Sequence, residues 1–218
     1  MQNPPKLDIK ERFSERGQAE RYRDRFRKRP RHRRTHEREA DALRAVLARL
    51  ADVTSAMDVG SGPGRFVPVF TDRKLRLVQA DFSRHMLDIS REEHPANAEP
   101  GAYVQADARK LPFGDGVVDL VFCHRLLNHL PDAEDRKEVL RQLGRVSKKY
   151  VVVSCLTPPG FVRAFRKLYE AVKGTASVDG HVGDEDLLAD AHTLGMQLLT
   201  RIPIRSLLRS AAFLVFGK

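Results

Sequence analysis

Three glycines at alternate positions, Gly60, Gly62 and Gly64, follow the short apolar run 56–59 and precede a helical pattern. Glycine lets a backbone turn tightly and approach a ligand with no Cβ in the way. The helix that follows such a turn presents unpaired N–H groups suited to a carboxylate or phosphate. A glycine turn can also serve packing alone, so the residues downstream decide its meaning. Asp81 closes the next apolar run, 23 residues after Asp58, where a carboxylate can accept hydrogen bonds from both hydroxyls of a ribose. Asp107 closes the run after that and is followed by Ala108, at the place where an adenine amino group could be read. Strand ends of an open α/β sheet converge on one crevice, so these residues are expected to form one site. His129, after the fourth run, and His181, between Gly180 and Gly183, are the candidate general bases. A histidine at such a place also serves as a structural or exposed group.

Two competing nucleotide sites fit poorly. A nicotinamide-dependent dehydrogenase would place a third Gly or Ala at position 65, and this chain has Arg65. A phosphate-binding loop of the nucleotide hydrolases would need Gly-Lys-Ser/Thr after the glycines, and none is present. Cys123 and Cys155 each lie inside apolar runs and read as buried thiols, with no metal-ligand cluster.

The elements that would position the site alternate. Strands are expected at 56–59, 76–80, 103–105, 118–123 and 150–154, with helices near 65–70, 83–90 and 133–146. Strand, helix, strand in repetition implies parallel strands joined by right-handed crossovers, hence a doubly wound α/β sheet. Before it, a helix is plausible over 19–28, Pro30 interrupts, and 35–50 is amphipathic, with Leu43, Val46, Leu47 and Leu50 on the apolar stripe and Glu39, Arg44 and Arg49 outside it. After it come a basic amphipathic helix over 161–172, a helix over 184–194 with Asp184 as N-cap and Gly195 as C-cap, and strand-like runs at 197–204 and 211–216.

The 218 residues suit one domain with a terminal extension. The division expected is a basic helical extension or cap over 1–50 and an α/β domain over 51–218, with 157–183 as a substrate-side insertion or lid. Residues 1–50 hold 16 Lys and Arg against 8 Asp and Glu, which is most of the net charge of +10. Such asymmetry marks either a solvated helix pair or contact with RNA, an anionic membrane or an acidic substrate. No apolar run approaches the roughly 20 residues of a membrane span, so no transmembrane segment is expected. The N-terminal residues lack the apolar core of a secretory signal, which points to a cytoplasmic location.

Four runs in order resemble the successive motifs of class I S-adenosylmethionine-dependent methyltransferases, most closely the ubiquinone/menaquinone-biosynthesis type. They are MDVGSGPG at 57–64, QADFS at 79–83, LPFGDGVVDLV at 111–121 and LLNHL at 126–130. The resemblance covers about residues 55–155 well and the remainder loosely. It implies a seven-stranded Rossmann-like sheet whose final strand is inserted antiparallel. It also implies S-adenosyl-L-methionine as cofactor, with Gly60 and Gly62 beneath its methionine part, Ser61 among the residues that bind it and Asp58 near its amino group. Asp81 would hold the ribose, Phe82 and Met86 would pack on the adenine, and Asp107 and Ala108 would read its edge. His124, where the family usually has a small or polar residue, would lie near the transferable methyl.

Methyl transfer from a sulfonium is an in-line displacement with an excellent leaving group, so much of the rate comes from alignment and water exclusion. A base is needed only where the acceptor must lose a proton. The acceptor expected is a small molecule or lipid precursor methylated at O or C. Phe161, Phe165 and Tyr169 are read as covering core, as a lid over the acceptor, or as peripheral membrane contact. Tyr22 or an Arg between 27 and 38 could cap the methionine carboxylate. The alternatives are an RNA methyltransferase using the basic segment 21–34 and a non-catalytic S-adenosylmethionine-binding protein. Cys123-His124-Arg125-Leu126 stands where an Asn-Pro-Pro-Tyr-type signature would mark amino-nitrogen methylation.

Overall fold

In the computed structural model, residues 15–95, 102–130, 132–157, 184–204 and 210–218 are described. The expected helix over 161–172, with Phe161, Phe165 and Tyr169, and the candidate base His181 lie outside them. The described elements are α1 (Arg16–Lys28), α2 (Pro30–Arg49), β1 (Ser55–Val59), α3 (Val67–Asp72), β2 (Arg76–Asp81), α4 (Arg84–Glu93) and β3 (Tyr103–Gln105). Then follow β4 (Val118–Cys123), a single 3-10 turn (Leu127–His129), α5 (Ala133–Val146), β5 (Ser147–Thr157), α6 (Asp184–Thr193), β6 (Gln197–Ile204) and β7 (Ser210–Gly217).

The strands form one sheet in the order β3-β2-β1-β4-β5-β7-β6. The first five strands are mutually parallel, and β7 runs antiparallel between β5 and β6. This is the doubly wound seven-stranded Rossmann-like sheet expected from the residues and the resemblance. Its direction of winding reverses between β1 and β4, which leaves a crevice at their carboxyl ends.

β1 and β4 are buried at every position because helices cover both faces of the sheet. Leu120, Phe122, Val152, Phe213 and Val215 face α2 and α3, where they meet Leu43, Val46, Leu47, Phe66 and Phe70. Their neighbours Val121, Cys123, Val151, Val153, Leu214 and Phe216 face the other way, against Leu140, Leu143, Leu187 and Ala191. Both cysteines are buried and free. The carboxyl-terminal half of α2 is therefore part of the sheet's own core.

Three boundaries differ from expectation. Pro30 starts α2 instead of only interrupting the chain, because a missing N–H does no harm at the first helical position. The break between α1 and α2 is the single extended residue Arg29. Asp184 is the first residue of α6 and not a cap before it. β5 is eleven residues long and follows α5 without a loop; Lys148 and Lys149 had hidden its first turn of pairing. Gly195, at φ +76°, closes α6 as expected, with the Met196 N–H returning to the Ala191 carbonyl.

At the end of β1 and β4 remote from the crevice, one carboxylate ties the two strands together. Asp119 Oδ2 accepts from the N–H and hydroxyl of Thr54 at 2.9 and 2.8 Å and from those of Ser55, both at 3.1 Å. Burial opposes the charge, but these donors outweigh it and hold the carboxyl at about 2. A carboxyl depressed in the folded state adds stability above its unfolded value, and that stability is lost as pH falls through the folded value. We expect wild type to exceed Asp119→Asn by about 2 kcal/mol at pH 6 and the gap to close between pH 4 and 2. Urea midpoints of the two proteins across that window measure it.

Candidate functional site

The chain leaves β1 and crosses to the end of β2. Gly60, at φ +75°, donates its N–H to the Ala80 carbonyl at 2.8 Å. A Cβ on Gly60 would lie 3.3 Å from the Leu126 side chain, so the turn is both left-handed and pressed against the segment after β4. Gly62 then donates its N–H to Asp81 Oδ2 at 2.8 Å, while Asp81 Oδ1 accepts the Ser83 N–H at 2.8 Å. One carboxylate thus joins the glycine turn to the start of α4. Ser83 caps that helix through the Met86 N–H. A Cβ on Gly62 would meet nothing within 4 Å, so the space above it is open.

Beneath the turn, Asp58 is 1% exposed and its Oδ2 is buried without a hydrogen-bond partner. Burial, and then the charge of Asp81, push its carboxyl up to about 8, against a smaller opposing pull from Arg65. Burial also raises Asp81, although the Ser83 and Gly62 N–H groups work the other way. Two acids side by side in one crevice leave a deficit of positive charge.

Asp58, Gly60, Ser61, Gly62 and His124 line a single pocket. The imidazole of His124 is buried against Phe66, 5.0 Å between ring centres. Burial, with Arg125, Arg65 and His36 nearby, holds it well below the usual histidine range and so neutral. Phe82, next to Asp81, is 45% exposed. Met86 is buried with Ala19 and Ile89 under Tyr22. Asp107 lies two residues past the end of β3, where Arg109 pairs with it at 2.8 Å and also reaches Asp135 at 3.1 Å; Ala108 is half-buried beside it. His129 is exposed on the 3-10 turn after β4 and is not among the residues lining the pocket.

Other residues complete the lining. Tyr22, from α1, closes one side, and the cations in the lining are Arg65 and Arg125. Arg125 has its backbone in the left-handed region, φ 63°, which costs about 1–2 kcal/mol for a non-glycine residue. Its N–H is fixed on Ser154 Oγ at 2.7 Å. Both guanidiniums bind one acid on α2. Arg65 Nη2 donates to Glu39 Oε2 at 2.5 Å and Arg125 Nη2 donates to Glu39 Oε1. Glu39 was expected outside the apolar stripe, on the solvent side, but it is only 2% exposed. A carboxylate is tolerated inside when it is paired and hydrogen-bonded, and two guanidiniums supply both. α1 is tied to α4 by Arg16 to Glu92 and by Arg23 and Arg27 to Glu93.

Residues 57–154 match the family model described as a methyltransferase domain. That match covers a little under half of the chain, and the sheet around it has the fold of the class I methyltransferases. Magnesium protoporphyrin IX methyltransferase of Synechocystis PCC 6803, solved with bound SAH, superposes with a TM-score of 0.74 over 96% of this chain and 97% of that one, at 16% identity. The same enzyme with SAM gives 0.73 at 14% identity, over 99% and 100%. Likeness at such identity establishes the shared fold. In sequence, the biotin biosynthesis bifunctional protein BioHC of Cellvibrio japonicus is 29% identical over 72% of this chain and 32% of its own length. The malonyl-[acyl-carrier protein] O-methyltransferase of Salmonella typhimurium is 27% identical over 68% and 57%. An uncharacterized methyltransferase of Mycobacterium sp. (strain KMS) is 35% identical over 43% and 35%. The chain spans about a third of the length of the first of these curated relatives. Among the described residues no helix is long and apolar enough to cross a membrane.

Proposed function

We propose that this chain is an S-adenosylmethionine-dependent methyltransferase whose acceptor is a small molecule or lipid precursor, methylated at O or C. The observation that carries the cofactor is the buried, unpartnered Oδ2 of Asp58. A buried carboxyl oxygen with no partner, beneath a glycine turn with open space above Gly62, fits a ligand that brings a cation into the crevice. The amino group of the cofactor's methionine end is such a cation. Asp81 is the acid for the ribose hydroxyls, Phe82 offers an exposed ring for the adenine, and Asp107 with Ala108 stands at the adenine edge. Met86 supports that wall from beneath Tyr22. When bound, the cofactor supplies a methyl group on a positively charged sulfur. The chain's task is to align the acceptor with it and keep water out. The neutral imidazole of His124 lies against Phe66 and Phe122, with its Nε2 3.3 Å from Glu39 Oε2.

The relatives support the acceptor class, since one is named for O-methylation of a malonyl group on its carrier, and the structural neighbours for a porphyrin. The ubiquinone/menaquinone type indicated by the four runs is a finer reading within that class. His129 and His181 are proposed as bases for acceptors that lose a proton. We assign α1 and the amino-terminal half of α2 to a basic cap and 157–183 to the acceptor side; the carboxyl-terminal half of α2 belongs to the core of the α/β domain, which therefore begins before residue 51.

Asp58 is mostly protonated at pH 7 with its carboxyl near 8, and a bound ammonium favours the ionised form. Calorimetric titration with S-adenosylhomocysteine in buffers of different ionisation heat should therefore show release of about one proton on binding at pH 7. Affinity should rise with pH and level off above about 8. Absence of binding would remove the cofactor reading. With methyl-labelled cofactor and a cell extract, label should enter the small-molecule or lipid fraction; label in RNA instead would move the reading to the RNA alternative.

A further inference from the structure

The positive wall of the pocket is built by an acid. Glu39 precedes Leu43, Val46 and Leu50 at helical spacing and is buried with them. Its carboxylate gathers two guanidiniums from separate segments, Arg65 after the glycine turn and Arg125 after β4. Two cations on one anion leave this cluster with a net positive charge, in the same pocket as Asp58. The two arginines are not equivalent. Arg65 is enclosed, 8% exposed, with its guanidinium 3.6 Å from the Phe26 ring centre and 3.2 Å from His36 Nδ1. Arg125 is 36% exposed, and Glu39 is its only carboxylate partner among the described residues. It lines the same pocket as Asp58. An arginine carries five N–H donors, so one bond to Glu39 leaves donors for a second anion.

We propose that Arg125 receives the carboxylate of the cofactor's amino-acid end, and that Glu39 is the positioning residue that holds Arg125 in the pocket with Asp58, so that the pocket recognises a zwitterion. The ammonium goes to Asp58 and the carboxylate to Arg125. Glu39 acts through Arg125 and touches no ligand atom. This rests on the cofactor reading given above.

The test is calorimetric binding of three nucleosides to the full chain: S-adenosylhomocysteine, its decarboxylated analogue, and 5′-methylthioadenosine, which lacks the whole amino-acid end. In the wild type, loss of the carboxylate should weaken binding about 10- to 100-fold. In Arg125→Gln that discrimination should vanish, with 5′-methylthioadenosine bound as by the wild type. Arg125→Lys should restore part of it, since a lysine keeps the charge without the fork. Glu39→Gln should reduce it about 10-fold and leave 5′-methylthioadenosine unaffected. A general loss of folding would weaken all three ligands alike. If thermal melts show Glu39→Gln to be unfolded, Arg125→Gln, at a partly exposed side chain, decides alone. Unchanged discrimination in Arg125→Gln overturns the proposal and leaves the cofactor reading standing. Failure of the wild type to bind any of the three overturns both.

Discussion

Gly64→Ala is expected to destabilise the chain by about 4 kcal/mol, a large share of the roughly 5–15 kcal/mol that holds a domain folded. Two effects add. Gly64 sits at φ +75°, where an alanine is strained by about 1–2 kcal/mol. Its Cβ would also lie 2.0 Å from Ser90 Oγ. That hydroxyl cannot step aside freely, because it donates to Gln79 Oε1 at 2.7 Å and both residues are fully buried. Urea denaturation should show the loss as a lower midpoint. Gly62→Ala is the control. Its φ is also positive, but a Cβ there meets nothing, so it should cost only about 1 kcal/mol while weakening nucleoside binding by filling the open space. Equal destabilisation by the two alanines would contradict the packing argument.

Asp81→Ala should lower affinity for S-adenosylhomocysteine by about 100-fold or more with the fold retained. The carboxylate is asked to do two things. It holds the Gly62 and Ser83 N–H groups, both at 2.8 Å, and on the proposed reading it accepts the ribose hydroxyls. Charge-assisted hydrogen bonds are each worth about 1.5–3 kcal/mol, so losing the ligand's pair alone accounts for the effect. Asp81→Asn keeps an acceptor but sets an amide donor in the same place, and should fall between wild type and alanine. Wild-type affinity in Asp81→Ala, measured by calorimetry beside a melt that confirms folding, would exclude this acid from the site.

Sequence spacing revealed what is local. The glycine turn, the strands that end near Asp81 and Asp107, and the inserted antiparallel last strand were all legible, because each depends on a short run of residues or on a resemblance carried by such runs. Pairings across long separations were not. Glu39 and Arg125 are 86 residues apart, and nothing in either neighbourhood announces the other. One signal was available: Glu39 stands four residues before Leu43 and seven before Val46, which places it on the buried stripe. Its type argued for the surface more loudly than its spacing argued for the core. Arg65 argues against a dinucleotide by its type alone, whereas its burial depends on Phe26, His36 and Glu39, which lie 26 to 39 residues earlier in the chain.

The order of strands carries a consequence for synthesis. β7 follows β6 in the chain yet lies inside the sheet, flanked by β5 and β6. While the polypeptide emerges, the eleven residues of β5, with the run Val151, Val152 and Val153 at their centre, have a bare edge of unpaired peptide groups. Such an edge is a template for pairing with another chain. The nascent protein is thus most prone to aggregate during the interval between translation of β5 and translation of β7, and a pause on the ribosome within that interval would lengthen the exposure.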